Sequence, residues 1–230
     1  MQRNKSIRIY LIGAVGLLLI LFNRCTKDNS NVVSDNDGNS YHSVTIGSQV
    51  WLDENLKTKK YQNGELIGTT TPSNENIADE DSPKYQWPYG GNETNVATYG
   101  RLYTWYAITD SRNVCPVGWR VPTDADWIAL TTYLGGESVA GGKLKEAGTT
   151  HWVTPNTGST NESGFTALPS GPRDPNGSFG TSGHDGNWWS STSFSAMNAY
   201  SLSMFYDDVS AGMSDNDKHN GYSVRCVKDN

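Results

Sequence analysis

Two late stretches of the chain carry residue types that could bind a ligand. The first is acidic: Asp207-Asp208, then Asp215-Asn216-Asp217 before Lys218, His219 and Asn220. Side-chain oxygens of Asp and Asn are the ligands calcium takes, and about six to eight oxygens must converge on one ion. The same residues also favour turns, because their short side chains bond to nearby backbone N–H groups. Asp207, Asp208, Asp215, Asn216 and Asp217 therefore support a calcium reading and a turn reading side by side. The second stretch is aromatic, Trp188-Trp189, near a Tyr-bearing run from Ala199 to Tyr206. Exposed rings there would stack on the apolar faces of sugars. Successive strand residues point to opposite faces, so one tryptophan is expected in the core and the other outward.

Catalytic constellations are not visible. No Gly-x-Ser-x-Gly elbow, phosphate loop or His-Glu-x-x-His occurs. His42, His151, His184 and His219 stand at unrelated spacings and read as surface or turn residues. Neighbouring carboxylates such as Asp79-Glu80-Asp81 lie in a polar stretch and read as solvated charge. The expectation is a protein that binds rather than one that catalyses, with no cofactor beyond the calcium reading.

The start of the chain fixes the compartment. Arg3, Lys5 and Arg8 precede the apolar run Ile9 to Phe22, and Cys25 follows almost at once. Residues 1–25 read as a lipoprotein signal peptide with Cys25 as the lipid-modified residue, or as an uncleaved N-terminal anchor. Asn23 and Arg24 stand where a cleavage site has small residues, which keeps the second version open. Both versions place the domain outside the cytoplasm and at a membrane; the location expected is the bacterial cell envelope, lipid-anchored to the outer membrane or at the cell surface. Without residues 1–24 the chain keeps 14 basic against 24 acidic residues, a net charge of −10. That balance argues against nucleic acid or anionic lipid as the main partner and is compatible with bound divalent cations, though acidity alone is mostly a solubility feature. Cys115 and Cys226 remain as an even pair in an oxidising compartment and are expected to bridge. The bridge would close a loop of over 100 residues, worth about 4–5 kcal/mol in chain-entropy terms before native strain is subtracted. A zinc site is excluded, since two distant thiols with no neighbouring His lack the ligand spacing.

The elements that would position these residues follow from local pattern. Residues 26–40 read as a polar linker and residues 41–230 as one domain. Ser43 to Leu52 alternates around a Gly47-Ser48 turn and predicts a hairpin. Glu65 to Asn95 reads as a long irregular loop, a place where function often sits. Leu102, Trp105 and Tyr106 recur at helical spacing and predict a short helix over 99–108. Thr123 caps a second helix over Asp124–Leu134, with Asp126 as a short-armed capping box, and Gly135-Gly136 end it. Asn187–Thr192, Ala199–Tyr206, Val209–Met213 and Tyr222–Val227 predict strands.

The segments YGRLYTWYAI (99–108), CPVGWRVPTDADW (115–127), GGKLKEAGTTHW (141–152), NESGFTALPSG (161–171), WWSST (188–192) and GYSVRCVK (221–228) occur in this order. In them the chain resembles the Fibrobacter succinogenes major paralogous domain, found mostly in surface lipoproteins. Arg120-Val-Pro-Thr and the closing Gly-Tyr-Ser-Val-Arg are similar to the sulfatase-modifying family. The resemblance implies an α+β, C-type-lectin-like domain with two main helices and short antiparallel strands. It implies no enzymatic activity. In such a fold the acidic stretch lies where calcium and sugar sites form. The sulfatase-modifying chemistry needs cysteines close in sequence, which this chain does not have. The function expected is a membrane-anchored surface lipoprotein that binds glycan or protein; an enzyme on a sulfatase-modifying scaffold and a structural component of a surface complex are the alternatives.

Overall fold

The computed structural model describes residues 32–229. The expected leader and Cys25 lie outside them. Among the described residues no helix is long and apolar enough to cross a membrane.

The strands come in small antiparallel sets. β1 (Val33–Ser34) and β2 (Ser40–Tyr41) form a two-stranded ribbon. β3 (Ser43–Ile46) and β4 (Gln49–Leu52) make the expected hairpin, with Val44 opposite Trp51. β5 (Gln86–Pro88) pairs with β6 (Arg101–Tyr103). β7 (Trp119–Arg120) and β11 (Val227–Lys228) complete a four-stranded sheet of order β3-β4-β11-β7. β8 (Asp185–Ser193), β9 (Asn198–Phe205) and β10 (Gly212–Asp217) form the largest paired surface, with β9 central. The helices are short: α1 (Val96–Tyr99), α2 (Trp105–Ile108), α3 (Asp124–Tyr133) and α4 (Glu137–Leu144).

This corrects the expected fold class. The domain is mostly β, four small antiparallel sheets with few short helices, and not an α+β, C-type-lectin-like plan with two main helices. The helix expected over 99–108 forms only at its end, as α2, and is the clearest reason. Gly100 ends α1 at φ 72°. A Cβ there would sit 2.7 Å from the Leu56 carbonyl oxygen, so the chain must turn at a glycine. Residues 101–103 then pair with β5, and the Tyr103 N–H donates to Tyr222 O. Non-local pairing overrides a three-residue helical pattern. By contrast α3 forms where expected, and its capping box is complete. Asp126 N–H donates to Thr123 Oγ1, and Thr123 N–H donates to the Asp126 carboxylate.

Residues 32–40, expected as tether, are part of the fold. The Asp35 carboxylate accepts from Asp37 N–H, Asn39 N–H and the Tyr41 hydroxyl. Asp37 accepts from Thr58 Oγ1 and Lys59 N–H.

The core is two clusters on either side of β8. One gathers Leu52, Tyr103, Val121, Trp189 and Val224 around Cys115 and Cys226. These cysteines are bonded, with Cα atoms 6.0 Å apart. The other is built on Trp51, Trp127, Phe165 and Trp188, with Trp51 stacked on Trp127 at 4.7 Å between centroids.

Long irregular segments leave many carbonyls to satisfy, and buried cations do this repeatedly. Lys145 Nζ donates to the carbonyls of Thr157, Phe205 and Asp208. Arg173 donates to those of Ser73, Asp174 and Glu75, with its guanidinium 3.9 Å from the Trp87 ring centroid. Lys218 binds the carbonyls of Ser195 and Ala196.

Candidate functional site

Neither stretch singled out by residue type forms a site. Register separates the acidic residues. Asp215 lies opposite Tyr200 and Asp217 opposite Asn198, whereas Asp207-Asp208 follow Phe205 at the other end of β9. The five residue steps from Tyr200 to Phe205 span about 17 Å at the strand rise. Their oxygens also have local partners. Asp208 accepts from Ser210 N–H, Asp215 from Asn198 Nδ2 and Asp217 from the His219 backbone N–H. Asn216 Nδ2 donates to Ser201 Oγ and Ser214 Oγ. Asp207, Asp208, Asp215, Asn216 and Asp217 thus belong to turns and a strand edge, and the calcium reading is withdrawn.

Trp188 and Trp189 do point to opposite faces, yet both are 0% exposed. The reason is that β8 is covered on both faces, Trp188 by one core cluster and Trp189 by the other. Each indole N–H is a structural donor, Trp188 to Asn55 Oδ1 at 2.8 Å and Trp189 to Tyr103 O at 2.7 Å. The sugar platform expected at these two residues is therefore corrected to core.

The aromatics at the surface are others. Phe179, Tyr89, Tyr99 and His151 are each partly exposed and neighbour one another in that order, edge to face for the outer two pairs and tilted for Tyr89–Tyr99. Ring centroids lie 5.8 Å apart for Phe179–Tyr89, 6.3 Å for Tyr89–Tyr99 and 5.9 Å for Tyr99–His151. The rings are mutually tilted by 83°, 59° and 81°. Each is held from below. Tyr89 leaves β5, donates its hydroxyl to Gly180 O and accepts from Ser182 N–H. Tyr99 ends α1, and its carbonyl accepts from Asn55 Nδ2 at 3.0 Å. His151 Nδ1 lies 2.9 Å from the Glu146 carboxylate.

The row ends in a cleft of about 290 Å³ lined by Asp53, Glu54, Asn55, Ala97, Thr98, His151, Thr166, Leu168 and Arg225. Its floor is rigid. Asn55 is buried and receives the Trp188 indole N–H and two N–H groups of Arg225. Burial pulls the Arg225 guanidinium down to about 9, so it stays charged at neutral pH. It also donates to the carbonyls of Leu52, Phe165 and Thr166 and lies over the Phe165 ring.

His42, Asp53 and Glu54 place one ligand atom each within 4.8 Å, the one such group among the described residues. They meet because the β3–β4 hairpin sets His42 across from Asp53, whose N–H donates to His42 O. The Lys57 ammonium is already bonded to Glu54, and nothing beyond ligand type favours a metal there.

Of the histidines, His151 lines the cleft. His219 is buried rather than at the surface, between Asp217 and Glu80 O. Sequence reading missed the row because its members lie at 89, 99, 151 and 179, in four separate segments. The one signal was Trp87-Pro-Tyr89-Gly-Gly inside the long 65–95 loop.

No curated protein and no solved structure matches the chain. The model of one family does, the Fibrobacter succinogenes major domain, over residues 44–228. The hairpin, the disulfide, the row and the cleft all fall within that span, and the chain belongs to the Fibrobacter succinogenes major domain family.

Proposed function

We propose that this domain is a non-catalytic module that binds glycan at the bacterial cell surface. The observation that carries the reading is the row of partly exposed rings from Phe179 to His151 running into a polar cleft. Rings present apolar area at low entropic cost, and fixed polar groups beside them give orientation. Catalysis by the sulfatase-modifying route is disfavoured, because Cys115 and Cys226 are joined to each other. The test is retention of the full chain on immobilised polysaccharides, comparing wild type with Tyr89→Ala and Tyr99→Ala. Retention lost in both variants supports the reading; retention unchanged in both contradicts it.

A second reading, a protein-binding face, is favoured by one observation. Phe194 and Met197 at the β8–β9 turn are 53% and 56% exposed, beside the half-buried Tyr200. Cross-linking to envelope proteins that survives Tyr99→Ala but is lost in Phe194→Ser would favour it over glycan binding.

Surface display rests on the leader and Cys25. Labelling with a palmitate analogue is expected in wild type and absent in Cys25→Ala. Equal label in both would leave the anchor to an uncleaved N-terminal helix.

A further inference from the structure

The cleft at the end of the aromatic row is balanced in charge but not in hydrogen bonding. Two carboxylates line it, Asp53 and Glu54. Two cations stand against them, Arg225 in the cleft wall and Lys57 on Glu54. Arg225 has no N–H left to offer a ligand, and Lys57 does not line the cleft. All five N–H groups of the Arg225 guanidinium are committed, to Asn55 Oδ1 twice and to the carbonyls of Leu52, Phe165 and Thr166. Lys57 is turned to Glu54.

Asp53 is the opposite case. Its carboxylate accepts no hydrogen bond from any described residue; Oδ1 is buried, and Oδ2 is the oxygen left for a ligand hydroxyl. The surplus at this wall is therefore of acceptors. A ligand that completes it must bring donors and no net charge. An anionic ligand would meet two carboxylates with no free guanidinium N–H to receive it. A cationic ligand would find Glu54 already taken by Lys57 and would meet the Arg225 charge at the same wall.

We infer that the cleft selects neutral, hydroxyl-bearing sugars, with Asp53 receiving a ligand hydroxyl, and rejects uronic-acid, sulfated and amino sugars. This rests on the glycan-binding reading above and narrows it to one chemical class. Selectivity of this kind comes from what is left unpaired in the wrong complex.

The experiment measures binding of the full chain to soluble polymers of three kinds: neutral glucan, mannan and xylan; anionic polygalacturonate and a sulfated glycan; and cationic chitosan. Each is measured at low and high NaCl, with Asp53→Ala, Asp53→Asn and Tyr99→Ala alongside wild type. The expected result is binding to at least one neutral polymer that changes less than twofold with salt. Asp53→Ala and Tyr99→Ala each weaken it at least tenfold. Because an exposed neutral pairing is not screened, the salt readout stands even where a variant folds poorly. Preference for an anionic or cationic polymer, with Tyr99→Ala still abolishing binding, overturns the selectivity and leaves the glycan reading intact. Binding of a neutral polymer that both Asp53 variants retain in full also overturns it. No binding to any polymer, or binding indifferent to Tyr99→Ala, overturns the glycan reading itself.

Discussion

The chain uses aromatic rings in two places for opposite ends. Trp188 and Trp189 sit in β8 with no exposed surface, and both indole N–H groups hold other parts of the fold in position. Phe179, Tyr89, Tyr99 and His151 sit on irregular segments, half open, and touch chiefly one another. Asn55 links the two sets. It takes the Trp188 N–H on one side and donates to the Tyr99 carbonyl on the other. A tryptophan expected to touch a ligand instead supports, through Asn55, the segment that carries Tyr99. Composition alone could not separate these roles, because β8 is buried on both faces and so has no outward position.

If that division is right, substitutions on the two sides separate stability from binding. Trp188→Ala carries the largest stability loss, about 3–5 kcal/mol for a buried tryptophan. It also leaves Asn55 without one of its donors. Denaturant unfolding measures the loss; a change under 1 kcal/mol would mean that β8 does not carry the core. Next come the cysteines. Cys115→Ser, Cys226→Ser and the double variant are each expected to lose about 2–5 kcal/mol, to a similar extent. Partners in one bond do not add, so a double variant with summed losses would break the account. Two free thiols in the native, unreduced chain would do the same.

Smaller still is an acid effect at α3. Burial raises Asp126, but Arg120 and the N–H and O–H of Thr123 outweigh it and hold the carboxyl at about 2, against an ordinary 3.8. The folded value is depressed, so the stabilisation is complete above about pH 4 and is lost as pH falls through 2. Its size is about 2 kcal/mol. Unfolding of wild type and Arg120→Met between pH 5 and pH 2 should converge toward the acid end. A constant gap across that range would contradict the assignment.

Much of the local structure was legible where the signal was local. Thr123 and Asp126 mark the start of α3 with a capping box. Gly47-Ser48 marks the β3–β4 turn, and Cys115 and Cys226 are the pair left once the leader cysteine is set apart. What was not legible depends on pairing. Leu102, Trp105 and Tyr106 have helical spacing, yet Arg101–Tyr103 is a strand because β5 and Tyr222 complete it. Asp208 and Asp217 look like one cluster in the sequence and stand at opposite ends of a hairpin. The candidate site was invisible for the same reason. Tyr89, Tyr99, His151 and Phe179 lie in four separate segments, and no local pattern pairs them.

The smallest stability effect and the largest functional one should fall on the same residue. Tyr99→Ala is expected to cost under about 1 kcal/mol, since its ring is half exposed. It is expected to weaken neutral-glycan binding at least tenfold. Trp188→Phe is the counterpart, losing one indole donor from the core while leaving the surface rings in place. The most direct measurement is therefore a side-by-side titration of the full-length wild type, Tyr99→Ala and Trp188→Phe with the best-retained polysaccharide, each paired with an unfolding curve. The account predicts near-normal stability with lost binding for Tyr99→Ala, and lowered stability with binding preserved in the folded fraction for Trp188→Phe. Binding that follows stability in both variants would contradict it.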